Sequence, residues 1–261
     1  MIPVTFETKH SQPVPVVRDS FADRPAFGAA VSRAILLRVA ARELPPTVRM
    51  HRTGRVVAFG RQDAAADRFS AAVEAARGAG FDSIVRLAGG RAAVYHEGTI
   101  ALSRALPDAN PAARTHARFE ETASLVAAAL RDLGADARVG EVPGEYCPGE
   151  YSVNAGGRTK LVGIGQRILA GGAHLGVVIV VRDGALLRRA LIPVYEALGL
   201  EWDPATAGSV EDELGSVELE AVEEAILDRM RAAGHEPVAG SLDADTLALA
   251  ARLEAEHAPS R

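Results

Sequence analysis

The chain has 261 residues, of which 48% are hydrophobic and 24% charged, and its formal net charge at pH 7 is −5. This composition excludes a disordered or collagen-like chain, and no apolar run approaches the roughly 20 residues of a membrane-spanning helix. A single cysteine and the lack of a basic-then-apolar N-terminus predict a cytoplasmic protein without a disulfide or signal peptide. The pI of about 5.8 argues against nucleic acid as the main partner, and we expect no membrane partner.

Hydrophobic periodicity predicts helices between short strands over the first two thirds of the chain. Residues 1–20 are predicted to form an extended arm that contributes an edge strand. The predicted helices after it cover residues 27–43, residues 67–78 and about twenty residues from Asn110-Pro111 to Leu133-Gly134.

The predicted strands are joined in three places by turns that contain glycine. Residues 48–60 are predicted to form a hairpin with Thr53-Gly54 as its turn. Two Gly-Gly pairs are predicted to join strands in the same way, residues 84–86 with 92–95 and residues 151–153 with 159–167. The other predicted strands cover residues 99–105 and 173–181. Strands clustered in this way, with helices between and after them, predict an α+β architecture with a largely antiparallel or mixed sheet.

The composition becomes acidic and helical in the C-terminal part of the chain. We place a boundary near residue 190, which divides the chain into a larger domain of residues 1–190 and a small, mainly helical extension of residues 191–261. Ser216, with a glutamate three or four residues later, predicts a capping box at the start of a helix. Residues 241–245 predict the start of the final helix.

Arginine carries almost all of the positive charge, with 27 Arg against two lysines, Lys9 and Lys160. A buried lysine amine can lose its proton, whereas the guanidinium of arginine cannot. The only cysteine, Cys147, lies thirteen residues before Lys160. The two residues therefore form a candidate site.

The segment RLAGGRAAVYHEG, residues 86–98, is the first that could bind a ligand. Gly89 and Gly90 let the backbone pass close to a bound molecule, and Arg86 and Arg91 on either side could hold a phosphate or carboxylate. His96 lies in the polar turn that follows. The alternative is a plain Gly-Gly hairpin with surface arginines.

The second segment runs from Cys147 to Gly165. Cys147-Pro148-Gly149 is predicted to be a turn, which exposes a side chain better than a core strand does. Lys160 follows on a strand near the small residues Gly163 and Gly165, which leave room for a substrate chain. The alternative is a half-buried cysteine and a surface lysine, because an isolated cysteine is more often a small core residue than a nucleophile.

The remaining polar residues indicate no further site. The histidines show no metal-ligand spacing with one another or with Cys147, so we expect no metal site. No Ser-His-Asp arrangement can be defended from the sequence.

Together, the two segments resemble the superfamily of lipoate-protein ligases, octanoyltransferases and biotin ligases. Residues 86–103, RLAGGRAAVYHEGTIALS, are similar to its glycine-rich loop and the strand after it. Residues 157–167, GRTKLVGIGQR, are similar to the strand that carries the lysine typical of the family. The resemblance extends over about residues 30–185, including VVAFGR at residues 56–61, and covers residues 203–210.

The resemblance implies a biotin- and lipoate-ligase-like fold, in which a mixed β-sheet core is flanked by helices and residues 1–190 form the catalytic domain. The run YCPGEY, residues 146–151, resembles the branch of Cys-dependent octanoyl-[H protein]:protein amidotransferases. It implies transfer of an octanoyl or lipoyl group through a thioester on Cys147. Lys160 would lie near the acyl carbonyl, either as a base or as a donor to the oxyanion.

The resemblance also implies substrate-binding residues, which we expect to be Arg86, Gly89, Gly90, Arg91, Ala92, His96, Gly163 and Gly165. The expected partners are lipoyl domains of 2-oxoacid dehydrogenases as acceptors, and glycine cleavage H protein or acyl carrier protein as donors. Such carrier domains are typically acidic, so Arg91, Arg158 and Arg167 could form a docking rim. No cofactor is expected for this transfer.

Two alternatives remain open at this point. One is an ATP-dependent lipoate-protein ligase that acts through lipoyl-AMP and needs ATP and magnesium. The ligase loop usually has three successive glycines, whereas this chain has Gly89-Gly90-Arg91, which suits the transferases better. The other alternative is a non-catalytic paralogue that only binds an acyl group or a carrier.

Overall fold

The computed structural model describes residues 12–259, in which the strands form an eight-stranded and a three-stranded sheet. The strands are β1 (Gln12–Val17), β2 (Thr47–His51), β3 (Val56–Phe59), β4 (Asp82–Val85), β5 (Ala93–Tyr95), β6 (Thr99–Pro107), β7 (Ala137–Val139), β8 (Val153–Ala155), β9 (Thr159–Leu169), β10 (Gly172–Val180) and β11 (His235–Gly240). The α-helices are α1 (Pro25–Ala40), α2 (Arg61–Ala64), α3 (Phe69–Gly78), α4 (Thr115–Asp132), α5 (Gly184–Leu198), α6 (Val210–Leu214), α7 (Leu219–Ala232) and α8 (Ala244–Leu253).

The large sheet is mixed and has the strand order β11-β1-β2-β6-β10-β9-β8-β7. Its centre is the apolar run of β10, GAHLGVVIV, which pairs antiparallel with β6 on one side and β9 on the other. The strand β1 is parallel to both of its neighbours, β2 and β11. Because valine and isoleucine favour strands whose two faces are covered, this run belongs in the middle of the sheet.

Helices cover both faces of the large sheet. On one face α4 and α7 pack against residues such as Leu161 and Ile179. On the other face lies α1, whose Ser32 accepts a hydrogen bond from the buried Arg49 of β2. Alternation along β2 produces this division, since Val48 and Met50 join the core under α4 while Arg49 points toward α1.

The small sheet has the order β4-β3-β5 and packs with α3 and α5 into a second apolar core. The helix α5 is capped at its N-terminus by Asp183, whose side chain accepts a hydrogen bond from the Leu186 N–H, and at its C-terminus by Gly199, whose φ is +70°. The loop from β4 to β5 leaves this sheet and lies over β9, where it forms one wall of the candidate site.

Several predicted elements are confirmed. The three predicted helices of the first two thirds correspond to α1, α3 and α4, and the mixed sheet flanked by helices is the predicted architecture. The hairpin of β8 and β9 turns at Gly156 and Gly157, whose φ angles are +55° and +76°. A glycine adopts such angles without the steric cost that other residues pay.

Two predicted hairpins are wrong. The strands around Thr53-Gly54 belong to different sheets, since β2 pairs with β1 and β6 whereas β3 pairs with β4 and β5. The strands around Gly89-Gly90 do not pair with each other either, because β4 and β5 lie on opposite sides of β3. Partners from distant parts of the chain replaced the local pairing in both cases.

The N-terminal arm also differs from its prediction. The part within residues 12–17 is β1, which lies inside the sheet between β11 and β2 and is therefore not an edge strand. The first eleven residues of the predicted arm lie outside the described residues.

The C-terminal part of the chain contains a strand that was not predicted. β11 pairs in parallel with β1 and so extends the large sheet, and residue 190 falls within α5. The capping box is formed by Ser209 with Asp212 at α6, not by Ser216, while Asp243 caps α8 as part of the predicted start of that helix. The division into two domains stays a prediction.

A helix that crosses a lipid bilayer needs about 20 consecutive, mainly apolar residues. Within residues 12–259, no helix has both the length and the apolar character needed to cross a membrane.

Candidate active site

A cavity of about 370 Å³ contains both Cys147 and Lys160. Its walls are the loop between β4 and β5, the strand β9, the first turns of α4, and the segment of residues 146–152. Apolar and aromatic groups dominate one side, where the rings of Phe119 and Tyr151 stack with centroids 5.2 Å apart. The cavity therefore offers an apolar surface next to a thiol and an amine.

Cys147 lies in the irregular segment between β7 and β8, with its side chain half-buried. Its φ of +44° is in the left-handed region, which non-glycine residues rarely adopt. The backbone N–H of Arg91 donates to Sγ over 3.1 Å, and the guanidinium of Arg86 approaches Sγ to 3.6 Å. Two N–H groups thus point at the sulfur as hydrogen-bond donors.

Gly90 makes this approach possible. Its φ is +95°, and a Cβ there would lie 2.5 Å from the Arg86 guanidinium and 2.8 Å from Sγ of Cys147. Gly60 is equally constrained, because a Cβ at this position would lie 1.7 Å from the carbonyl oxygen of Gly90. The loop therefore contacts the end of β3 through bare backbone.

Lys160, on β9, is one of the largest fully buried side chains among the described residues. Its Nζ donates three hydrogen bonds, to Glu145 Oε1 over 2.8 Å, to the Tyr146 carbonyl over 3.0 Å and to the Cys147 carbonyl over 2.8 Å. Nζ also lies 4.8 Å from the centre of the Tyr146 ring. The predicted surface alternative for this lysine is therefore wrong.

Glu145 is the residue that our sequence reasoning missed. Its carboxylate is fully buried and accepts hydrogen bonds from Lys160, from the Ser152 hydroxyl over 2.6 Å, and from the N–H groups of Val142 and Gly149. Glutamate is common in this acidic chain, so composition did not distinguish it. Its position two residues before the only cysteine was the available signal.

Two glycines of β9, Gly163 and Gly165, lie in the cavity wall. A Cβ on Gly165 would lie 3.0 Å from both the Ala88 side chain and the Gly89 carbonyl, so only a residue this small lets the loop rest on the strand. Gly163 lies beside the Lys160 side chain, since a Cβ at position 163 would lie 3.5 Å from Cε of Lys160. Gly89, Gly163 and Gly165 all line the cavity.

Arg86 and Arg91 do not form the open pair that the sequence suggested. Arg86 lines the cavity and donates to the carbonyl of Arg91 over 2.8 Å. The side chain of Arg91 instead pairs with the buried Asp63 over 3.1 Å. Arg91 therefore reaches the sulfur through its backbone N–H, and its guanidinium faces away from Cys147.

Ala92 and His96 are not brought to the cavity wall. The Ala92 carbonyl accepts a hydrogen bond from the Tyr195 hydroxyl over 3.0 Å. His96 is buried in the turn between β5 and β6, where its Nδ1 accepts a hydrogen bond from the Gly98 N–H, and burial lowers its pKa. Tyr195 thus supports the end of the loop at Ala92, while His96 stabilises the turn that follows β5.

The other two arginines of the predicted docking rim also lie off the cavity wall. Arg158 is exposed and pairs with Glu213 over 3.2 Å. Arg167 is half-buried, and its pKa is lowered by burial and by the nearby Arg61 and Arg33.

A second cavity of about 80 Å³ lies on the other side of the β4–β5 loop and shares Arg86 with the first. Its lining is mainly apolar but includes His51 and His174, which are buried. The Nδ1 atoms of these two histidines have no hydrogen-bond partner within residues 12–259. Burial lowers the pKa of His174 to about 4 and that of His51 well below its ordinary value, with Arg49 adding to both shifts.

A metal site in a protein requires several His, Cys, Asp or Glu side chains that converge on one point. Over the described part of the chain, no three His, Cys, Asp or Glu residues converge in a group that could hold a metal ion.

Comparison with known proteins places this geometry in a family context. Residues 24–231 match the family of the lipoyl protein ligase A/B catalytic domain. An octanoyl-[GcvH]:protein N-octanoyltransferase from Geobacillus kaustophilus is 30% identical over 179 residues, 67% of this chain and 63% of its own length. A lipoyl-[GcvH]:protein N-lipoyltransferase from Listeria monocytogenes is 29% identical over 67% of this chain and 64% of its own length. The chain thus spans less than two thirds of either relative.

A solved structure gives the same fold. It is a bi-partite lipoate protein ligase from Thermoplasma acidophilum, described with its E2 lipoyl domain. The TM-score is 0.71 at 18% sequence identity, over 94% of this chain and 93% of the other. At this identity the likeness establishes the fold, which agrees with the lipoate-ligase-like architecture predicted from the sequence.

Proposed function

Since the chain belongs to the lipoyl protein ligase A/B catalytic domain family, we propose that it is an acyltransferase of protein lipoylation. It moves an octanoyl or lipoyl group from an acylated carrier protein to a lysine of a lipoyl domain. The acyl group passes through a thioester on Cys147. The names of the two relatives, both transferases acting between GcvH and another protein, support this reading over the other members of the family.

The observation that carries the proposal is the environment of the sulfur. Cys147 Sγ faces an apolar cavity and receives N–H donors from Arg86 and the Arg91 backbone, in a chain that has only one cysteine. A thiol in such surroundings is suited to nucleophilic attack on an acyl group. A cysteine that served only to fill the core would not need these donors.

The chemistry is two successive substitutions at one carbonyl carbon. Sγ bonds to the acyl carbon of the donor, the bond from that carbon to the donor's lysine nitrogen breaks, and the thiol proton ends on the released amine. The acceptor lysine amine then attacks the thioester, the C–S bond breaks, and a proton of the amine returns to sulfur. Each half-reaction exchanges one bond for another, so no ATP or other cofactor enters.

Different residues of the cavity lining contact different parts of the substrate in this proposal. Arg86, Gly89, Gly90, Gly163 and Gly165 shape the part of the cavity next to Cys147. We propose that the acyl chain lies against these residues and the Phe119–Tyr151 wall, because a narrow apolar slot suits an alkyl tail. Lys160 donates to the Cys147 carbonyl and lines the same cavity, and we propose that its amine lies near the acyl carbon in both substitutions.

Donor and acceptor are both carrier proteins in this proposal. The relatives' names indicate the glycine cleavage H protein as donor, and the related ligase structure includes an E2 lipoyl domain, which is the class of acceptor we propose. Acyl carrier protein is the alternative donor.

The test separates the three donors in one experiment. The purified protein is incubated with octanoyl-loaded H protein, with octanoyl-loaded acyl carrier protein, or with lipoate, ATP and magnesium, and is examined by intact-mass spectrometry. An octanoyl adduct on Cys147 that a lipoyl domain then removes supports the transferase. An adenylate formed from lipoate and ATP without an adduct would establish the ligase, and binding without turnover would establish the non-catalytic paralogue.

The matched variant is Cys147→Ser. We expect it to keep the thermal unfolding midpoint of the wild type and to lose transfer by at least about 10³-fold. An enzyme that transfers normally without this thiol would overturn the thioester mechanism.

A further inference from the structure

Glu145 and Lys160 form an ion pair inside the protein, at the base of the Cys147 segment. Their side chains are 0% and 2% exposed, and Oε1 and Nζ are 2.8 Å apart. Removing two charges from water is unfavourable, and an ion pair offsets this cost only with good geometry and further hydrogen bonds. An apolar pair at these two positions would be at least as favourable for the free energy of folding. The charged pair therefore indicates a role in function.

The three acceptors around Nζ match the three N–H donors of an ammonium group. An ammonium has three N–H donors and no acceptor, and three acceptors face Nζ here: Glu145 Oε1 and the carbonyls of Tyr146 and Cys147. All three N–H bonds are therefore used. In this arrangement no lone pair is available on Lys160 to take a proton from the thiol.

The other ionisable side chain against Nζ adds no charge. Burial raises the pKa of Tyr146, so its ring stays a neutral phenol. Within residues 12–259, the only negatively charged side chain that pairs with Lys160 is Glu145.

Glu145 also holds the segment that carries the nucleophile. Its carboxylate accepts hydrogen bonds from the N–H of Gly149 and the hydroxyl of Ser152, on the far side of Cys147 in the chain. Lys160 bonds the carbonyl of Cys147 itself, whose backbone has the unusual φ of +44°. One carboxylate thus fixes both the amine and the turn beside it.

We propose that Glu145 is the positioning residue of this site, and that through it Lys160 acts as a fixed cation beside the acyl carbonyl and not as a base. This inference rests on the proposed acyl transfer. The positive charge lies next to Cys147, where an oxyanion develops in each substitution, and preorganised charge of this kind lowers the barrier. The carboxylate keeps that charge in place between turnovers.

The central variant is Glu145→Gln, which keeps an oxygen acceptor and removes the negative charge. We expect the rate constant for thioester formation on Cys147 to fall about 30-fold while KM for the octanoyl-loaded carrier changes less than about threefold. Rapid-quench mass spectrometry measures both. Glu141→Gln is the matched control: it makes the same change at an exposed glutamate four residues earlier that does not line the cavity, and its rate should stay within about threefold of wild type.

A double-mutant cycle tests whether Glu145 acts through the amine. In the background of Lys160→Met, the change Glu145→Gln should slow thioester formation no further. It should also raise the thermal unfolding midpoint of Lys160→Met by roughly 10 °C, since the double variant leaves no buried charge unpaired. If Glu145→Gln is too unstable to purify, Glu145→Asp keeps the charge and is expected to lose about tenfold in rate.

The two proposals fail in different ways. If the wild type forms no thioester with any acylated carrier, the proposed function is wrong. If the wild type forms the thioester but Glu145→Gln matches its rate, loses rate only through KM, or adds its full loss to that of Lys160→Met, the positioning role is wrong and the transferase stands.

Discussion

The two cavities on either side of the β4–β5 loop treat ionisable groups in opposite ways. In the larger one, Glu145 and Lys160 are buried as a charged pair, with hydrogen bonds to both partners. In the smaller one, His51 and His174 are buried without a partner for Nδ1 in the described part of the chain, and their pKa values are lowered. Pairing stabilises charge in the first, whereas exclusion of water and nearby arginines keep the imidazoles neutral in the second.

The largest effect is expected from unpairing the charges of the larger cavity. Lys160→Met leaves the Glu145 carboxylate buried without its cation, which should lower the free energy of unfolding by about 3–5 kcal/mol. Arg158→Met, which removes the exposed partner of Glu213, is the control and should cost less than about 1 kcal/mol. Urea unfolding at pH 7 measures both, and equal costs would contradict the importance assigned to the buried pair.

The second-largest effect is expected from low pH, which should lower the free energy of unfolding through His174 of the smaller cavity. The pKa of His174 is about 4 in the folded protein against an ordinary value of 6.5, so the folded state favours the neutral ring. The stability this provides is complete above about pH 6.5 and is lost as the pH falls through 4. Between pH 7 and pH 4 the wild type should lose roughly 3 kcal/mol more than His174→Gln.

The control for this prediction is the exposed His116. His116→Gln should follow the wild-type dependence of unfolding free energy on pH. A His174→Gln variant with the same acid loss as wild type would show that other groups dominate the acid response.

A smaller effect is expected from the loop that separates the cavities. Gly90→Ala introduces a Cβ at a φ of +95° against Arg86 and Cys147, and should cost about 2 kcal/mol. Gly89→Ala meets its nearest atom, the Gln166 carbonyl oxygen, at 3.8 Å and should cost less than about 0.5 kcal/mol. The rate at which iodoacetamide alkylates Cys147 should differ from the wild-type rate only in Gly90→Ala. Similar rates in the two variants would argue against contact between the loop and the sulfur.

The smallest effect concerns the support behind the loop. Tyr195→Phe removes the hydrogen bond to the Ala92 carbonyl and should cost about 1 kcal/mol. Tyr146→Phe is its counterpart, because the Tyr146 hydroxyl has no partner within residues 12–259, and it should leave the unfolding free energy unchanged. Thermal unfolding of the two variants side by side measures the difference, and an equal cost for both would refute it.

Local features of the fold were predictable from the sequence, and long-range pairings were not. The β8–β9 hairpin follows from Gly156-Gly157, because a two-glycine turn and its flanking strands are contiguous in the chain. The sequence of β2 and β3 is also typical of a hairpin, but these two strands do not pair with each other. β2 pairs with β6 and β3 pairs with β5, and both of these partners lie further along the chain. β11 escaped prediction because it is half-exposed and contains a proline, both weak signals for a strand.

The site residues that could be predicted from the sequence are those of amino-acid types that are rare in this chain. Lys160 stood out as one of only two lysines, and Cys147 as the single cysteine. Glu145 lacked that distinction, and its role depends on the fold of the 142–152 segment, which brings three further donors to one carboxylate. His96 was expected at the ligand because of its place in the sequence run, yet the turn after β5 directs it away.

The contact between Gly60 and Gly90 has a consequence for how the chain can vary. With the Gly90 oxygen only 1.7 Å from where a Cβ of residue 60 would be, any side chain there must lift the loop from the end of β3. The amide of Arg91 would move with the loop and lose its hydrogen bond to the sulfur of Cys147. The three-stranded sheet carries neither the sulfur nor the amine, yet the close crossing of these two stretches of bare main chain fixes the position of a donor to the sulfur.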